Sequence, residues 1–187
     1  AAREQQDFDV PVVDAGEPGL TLVLRGDDFV EGAYARWGGS YRPTTFVSSS
    51  ELRAEIGADD LRAGSLGQVS VRNPDGETTG SLTLTVNNPV PSLETIIPAY
   101  VTSGGSVSSA RLLGSNFVPT SIVRWNGIAG ETSYINGTIL DAGVPPAAFS
   151  AGGEFQVTVE NPSPAGGTSG ALVFFVSTFT LTPSTAS

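Results

Sequence analysis

The sequence predicts an all-β chain made of two β-sandwich domains in tandem. One observation is an internal repeat, because Phe29 followed by Trp37 recurs 88 residues later as Phe117 followed by Trp125. The other is composition, since 23 glycines and 13 prolines divide the 187 residues into short apolar runs, as is typical of strands joined by turns. A repeat of this length exceeds a solenoid unit of about 20 to 50 residues and suits one sandwich of about 100.

The repeat sets the expected domain limits. Its register runs without a gap from residues 26–74 onto residues 114–162. We therefore expect a first domain at 1–88, a second domain at 89–176 and an additional C-terminal segment at 177–187.

Each element of the second copy has a local signal. Residues 122–125 form an apolar run that ends in Asn126-Gly127, a strong two-residue hairpin signal. The other expected strands share short apolar or alternating patterns bounded by turn residues. They lie at 107–113, 132–135, 138–140, 154–160 and 171–176.

The first copy repeats this order with different turn residues. Gly38-Gly39 takes the place of the Asn-Gly hairpin, and the segment 73–76, with sequence Asn-Pro-Asp-Gly, supplies a later turn. A closing strand is expected at 82–86. One short acidic segment, 50–61, is the only stretch with helical periodicity.

Equivalent aromatic residues in both copies indicate a shared packing role. Trp37 and Trp125 are predicted to be core residues, as are Phe29 and Phe117. The alternative for the tryptophans is an exposed platform on which sugars stack. Tyr41 is the aromatic residue near Trp37 that we expect to be exposed and to have no equivalent in the second copy.

These motifs resemble the immunoglobulin-like IPT/TIG domain, an E-set type of sandwich found in plexins, transcription factors and bacterial surface proteins. The resemblance is carried by the Gly-x-x-Phe segments at 26–29 and 114–117, by the Val-x-Val-x-Asn-Pro segments at 69–74 and 157–162, and by the inter-domain segment 91–98. It implies two tandem sandwiches with non-catalytic roles and an extracellular or cell-surface location.

Composition excludes several classes of function. The net charge is −10, and the nine basic residues are all arginines scattered along the chain, so nucleic acid is not an expected partner. Cys and His are absent, and so is Lys, which removes disulfides, thiolate and imidazole metal ligands, lysine Schiff bases and the usual general base. No apolar run approaches the roughly 20 residues that cross a bilayer. We expect no enzyme, no cofactor, no metal and no membrane span.

Two short motifs offer weaker alternatives. Arg25-Gly26-Asp27 spells a cell-attachment tripeptide, but its glycine belongs to the turn that the second copy repeats at Gly114. The acidic pairs at 27–28 and 59–60 lack the spaced pattern of a calcium loop. A structural calcium ion therefore stays a minor alternative.

The segments at the two ends predict an assembly site. Phe179, Leu181 and Pro183 resemble the opening strand of a further domain, while Phe8 and Val10 lie in a poor match to the opening strand of the first domain. One interpretation is strand addition, in which the C-terminal strand of one molecule completes the first domain of the next. The other is that the segment is the start of the next domain in a longer array.

The expected function is therefore that of a non-enzymatic extracellular structural protein. It is either the subunit of a surface filament built by head-to-tail strand addition, with itself as partner, or a spacer between adjacent domains of a bacterial surface protein. The alternative is an adhesin or accessory module that binds a polysaccharide or a protein through loops such as 40–45 or 145–153.

Overall fold

The computed structural model describes residues 12–102, 109–145 and 152–178. The fold-class prediction is confirmed: the described residues form two tandem immunoglobulin-like β-sandwiches with one 3-10 turn as the only helical element among them. The chain divides into two compact units, 1–88 with Ser163–Ala165 and 89–162 with 166–187.

The first unit has two sheets built from eight strands. One sheet has the order β1-β8-β7-β3-β4 and the other the order β2-β6-β5. The strands are β1 (Val13–Asp14), β2 (Gly19–Arg25), β3 (Tyr34–Trp37), β4 (Ser40–Tyr41), β5 (Thr44–Ser48), β6 (Glu51–Gly57), β7 (Ser65–Arg72) and β8 (Leu82–Asn87).

The second unit has two sheets built from ten strands. One has the order β10-β18-β16-β12-β13, with β17 also on β16, and the other the order β14-β15-β11-β9. The strands are β9 (Ser92–Ile97), β10 (Tyr100–Thr102), β11 (Ser109–Ser115), β12 (Ile122–Trp125), β13 (Ile128–Ala129), β14 (Thr132–Asn136), β15 (Ile139–Gly143), β16 (Gly153–Asn161), β17 (Gly167–Thr168) and β18 (Leu172–Ser177).

The two units share strand pairing as well as sequence. Ala35 of β3 pairs with Val71 of β7, and 88 residues later Val123 pairs with Val159 in the same antiparallel geometry. In each unit a short early strand also runs parallel to the last one, β1 on β8 and β10 on β18.

The predicted hairpins are confirmed. Gly38 and Gly39 have φ values of 53° and 85°, and Asn126 and Gly127 have 49° and 83°. Positive φ at both central residues is the geometry of a type I′ turn, whose twist matches that of the flanking strands.

The helical interpretation of residues 50–61 is wrong. Strand β6 and the 3-10 turn Ala58–Leu61 occupy this segment. Leu52, Ala54 and Ile56 are buried while the residues between them are more exposed, and β6 pairs with β2 on one side and β5 on the other. Period-two burial within a sheet therefore decides the conformation.

Each core surrounds one tryptophan, and the two are packed differently. In the first unit Trp37 lies over Gly67, where an added Cβ would overlap the indole ring. In the second unit Trp125 meets Phe174 edge to face, with ring centroids 5.1 Å apart. Residue 155, the equivalent of Gly67, is a partly buried phenylalanine packed against that core.

We predict that Gly67→Ala destabilises the first domain by about 1 to 3 kcal/mol, because the new methyl group must displace the Trp37 ring in a close-packed core. Urea unfolding followed through the two indole N–H resonances, one per domain, gives the change. Gly80→Ala is the matched control, since a Cβ there meets nothing within 4 Å. Equal stability of the two variants would contradict the packing argument.

A cross-strand ion pair in the second unit makes the stability of that domain depend on pH. Arg111 donates to Asp141 through Nε and a terminal nitrogen, at 2.8 and 2.9 Å. This pair of hydrogen bonds lowers the pKa of the Asp141 carboxyl from its ordinary value of 3.8. Desolvation of the carboxyl raises the pKa, and the charge of the guanidinium group lowers it further. The stabilisation is therefore present above the unfolded-state pKa and lost as the pH falls through the folded-state pKa.

We predict that Asp141→Asn lowers the free energy of unfolding of the second domain at neutral pH, and that its difference from the wild type shrinks below about pH 3.8. Urea titrations between pH 7 and pH 2, read at the Trp125 resonance, measure that difference. A difference independent of pH would show that the carboxylate charge is not its cause.

Candidate assembly site

The candidate assembly site is the outer edge of β2. In the second unit the equivalent strand β11 is covered on that side by β9, with Leu112 opposite Ile96, and Leu93 and Ile96 are buried. In the first unit β2 pairs along its whole length with β6. Within residues 12–102, 109–145 and 152–178, no strand lies on its other side.

The predicted assembly residues lie outside the described residues. These are Phe8 and Val10 near the N-terminus and Phe179, Leu181 and Pro183 near the C-terminus. The repeat places residues 4–9 in sequence where the second unit has β9.

The edge of β2 offers both polar and apolar interactions. Leu22 and Leu24 point into the core and are 6% and 4% exposed, while Thr21 and Val23 face outward. An edge strand also presents N–H and C=O groups to which a further strand can bind. The site can therefore bind an extended segment by ladder hydrogen bonds together with apolar contact.

The four predicted packing residues are buried: Trp37, Trp125, Phe29 and Phe117 are 9%, 2%, 5% and 3% exposed. Phe29 also accounts for the Arg-Gly-Asp tripeptide, because its ring fills the space that a Cβ at Gly26 would need.

A buried asparagine in the second unit is a structural residue whose role sequence reasoning missed. The Oδ1 atom of Asn161 accepts from the Ser121 hydroxyl at 2.6 Å. Its Nδ2 atom donates to the carbonyl oxygens of Asn116 and Pro89 at 2.7 and 2.8 Å. Asn161 is 1% exposed, so these bonds fix the turn before β12 and the chain entering the domain. The Asn-Pro motif was the signal available in the sequence.

The equivalent asparagine in the first unit is incompletely bonded. Asn73 donates through Nδ2 to the Asp28 carbonyl at 3.3 Å, and its Oδ1 is buried without a partner in the described structure. The reason is a substitution in the repeat: Ala33 stands where the second unit has Ser121.

The acidic pairs do not assemble into a cation site within the described structure. Asp60 binds Arg42, with Arg42 Nε 2.8 Å from Oδ2, and Asp59 pairs with Arg62. No group of three or more carboxylates in the described ranges is placed to hold a metal ion. Nor does any helix in that part of the chain have the length and apolarity to cross a membrane.

The paired sheets, type I′ hairpins and buried tryptophans define the chain as a protein of immunoglobulin-like sandwich domains. More particularly, the family model of the IPT/TIG domain matches residues 11–86. The first domain therefore matches the IPT/TIG family, and the second sandwich repeats the pairing and register of the first.

Similar solved structures include the Bacteroides ovatus mixed-linkage glucan utilization locus protein SGBP-B in complex with a heptasaccharide, at 16% identity, 93% of this chain, 46% of that chain and TM-score 0.36. The plexin A4 extracellular region matches at 12% identity over 86% of this chain and 17% of its own, with TM-score 0.36. Titin A168–A169 matches at 14% identity over 90% and 95%, with TM-score 0.44. The chain thus spans less than half of the first two structures. No curated protein matches it significantly.

We predict that Ala33→Ser stabilises the first domain by about 0.5 to 1.5 kcal/mol, because a hydroxyl there gives the buried Asn73 Oδ1 the partner that Ser121 gives Asn161. The measurement is urea unfolding read at the Trp37 indole resonance.

Ser121→Ala is the reciprocal variant. It leaves Asn161 Oδ1 and the Val118 N–H without their bonds to the hydroxyl, so the second domain should lose about 1 to 3 kcal/mol. If both variants shift stability in the same direction, the hydroxyl is not the cause of the difference between the domains.

Proposed function

We propose that the chain is a non-enzymatic extracellular structural module whose domains join head to tail by strand addition and so form a surface filament. The observation that carries the proposal is the contrast between β11, covered by β9, and β2, whose outer edge has no strand among the described residues. A contact between unlike surfaces of identical subunits does not close on itself and builds a linear polymer.

The pairing of β9 on β11 supplies the expected geometry of the added strand. β9 runs antiparallel to β11 and buries Leu93 and Ile96. A strand on β2 would gain the same antiparallel ladder and extend the sheet beside Leu22 and Leu24, which are already buried in the core.

Two segments compete for this edge. The C-terminal segment offers Phe179 and Leu181, which a regular strand directs to one face because they are two residues apart. The segment 4–9 of the same chain, with sequence Glu-Gln-Gln-Asp-Phe-Asp, offers a single apolar residue, Phe8. The C-terminal segment would bury two large apolar side chains instead of one, a gain of about 1.5 to 3 kcal/mol that offsets part of the cost of joining two molecules.

We predict that the intact chain forms concentration-dependent fibres and that a chain ending at Val176 does not, because truncation removes the donated strand. Electron microscopy and light scattering measure both. The truncation cuts β18 by only its last residue, Ser177, so unchanged indole resonances of Trp37 and Trp125 serve as the folding control.

Cysteine cross-linking tests the partner directly, because the chain has no cysteine of its own. Full-length Val23→Cys is mixed with full-length Thr180→Cys or Thr182→Cys and oxidised, and a disulfide-linked heterodimer is the expected product. The competing arm is one chain carrying both Val23→Cys and Asp9→Cys, because Arg111, the equivalent of Val23, pairs with Ile97, the equivalent of residue 9. An internal disulfide in that chain, with monomeric wild type, would overturn the filament and leave the module as a spacer between domains.

A further inference from the structure

A second surface of the first domain lies on the other sheet from β2. Tyr34 and Arg36 are two residues apart on β3. Arg72 of β7 is the cross-strand partner of Tyr34, and Tyr41 of β4 is the partner of Arg36. Side chains at these positions share one face of the sheet. We call these four residues the tyrosine–arginine face.

The tyrosines form the apolar part of this face. The rings of Tyr34 and Tyr41 lie 5.3 Å apart between centroids, tilted by 57°. Tyr41 is 60% exposed. Tyr34 is half-buried beneath it, so the pair presents a ring surface to solvent from a rigid sheet.

The arginines of this face are distinctive within an acidic chain. The net charge is −10, and six of the eight described arginines are ion-paired with a carboxylate. Arg36 and Arg72 are the two without a carboxylate partner among the described residues. Arg36 Nε donates to the Gly39 carbonyl at 2.8 Å, which anchors that guanidinium group.

The second domain provides an internal comparison. At the four equivalent positions it has Ile122, Arg124, Ala129 and Glu160. Arg124 donates to Glu160, so the charge is neutralised within the face. The inward residues of the same strands stay apolar and buried in both domains. The outer face therefore differs between the domains: the second has a closed ion pair, and the first has two cations without carboxylate partners among the described residues beside two aromatic rings.

We propose that the tyrosine–arginine face binds an anionic polysaccharide, one that carries carboxylate or sulfate groups. Tyrosine rings pack against the C–H faces of sugar rings. Guanidinium groups bind carboxylates and sulfates through paired, charge-assisted hydrogen bonds. The tyrosine–arginine face places both kinds of contact side by side along β3, as binding of an extended acidic sugar chain requires.

The small number of cations on this face favours an acidic polysaccharide over nucleic acid as the ligand. A phosphate backbone is held by many cations at once, whereas this face has two. A short run of acidic sugars that stacks on tyrosine depends on few charges. The inference does not rest on strand addition, because it uses the other sheet of the domain.

The test is binding of the full-length wild-type chain to polygalacturonate at 150 mM salt by calorimetry, with a neutral glucan and polyglutamate as parallel probes. Arg72→Glu rebuilds the Arg–Glu arrangement of the second domain, so it should fold and should weaken polygalacturonate binding about 10- to 100-fold, the loss expected for one charged hydrogen-bonded contact. Tyr41→Ala, which gives the residue found at position 129, should also weaken binding.

Arg62→Glu is the matched control, because it makes the same change of charge at an exposed arginine outside β3, β4 and β7. Its affinity should equal that of the wild type. Four results overturn the proposal: no polygalacturonate binding by wild type, equal weakening by Arg62→Glu, equal binding of polyglutamate, or equal binding of the neutral glucan. The third result would assign the face to acidic peptides. Light scattering on the same samples separates these outcomes from failure of fibre formation.

Discussion

The apolar layer between the two sheets is the constraint on which each domain depends. Every core strand directs alternate side chains into that layer. The remaining side chains face solvent and do not pack in the core. The layer is filled differently in the two domains. Trp37 over Gly67 and Trp125 against Phe174 occupy matching places with different neighbours. Inside the layer, a sequence difference between the two copies is accompanied by a difference at a neighbouring position. Outside the layer, the sequences differ without this restriction.

The sequence predicts much of the fold because its strongest signals are local. The Gly38-Gly39 and Asn126-Gly127 turns and the alternation along 154–160 depend on neighbouring residues only. The error at 50–61 has the same origin. Leu52 and Ile56 are four residues apart, a spacing that a helix face and a strand face share, and pairing with β2 and β5 decides between them. The short parallel strands β1 and β10 have no local signal, because their partners lie more than 70 residues away.

The candidate sites likewise have some features that local sequence predicts and others that depend on long-range pairing. Exposure of Tyr41 follows from its place beside a turn and is visible in the sequence. Its place on the same sheet face as Arg36 and Arg72 is not, because that depends on which residues of β3, β4 and β7 face each other. The bonds of Asn161 were hidden for a similar reason: Ser121 and Pro89 are 40 and 72 residues away from it in sequence. Register and long-range hydrogen bonding are properties of the assembled sheets.

The parallel pairing of β10 with β18, and of β1 with β8, has a mechanical consequence. In each domain one strand lies early in the domain and its partner is the last strand, and they run in the same direction. A pull on the two ends of a domain therefore slides these strands past each other and loads their hydrogen bonds together. A hairpin pulled at its open end breaks its bonds one after another. Each domain thus has a small shear clamp between an early strand and its last strand.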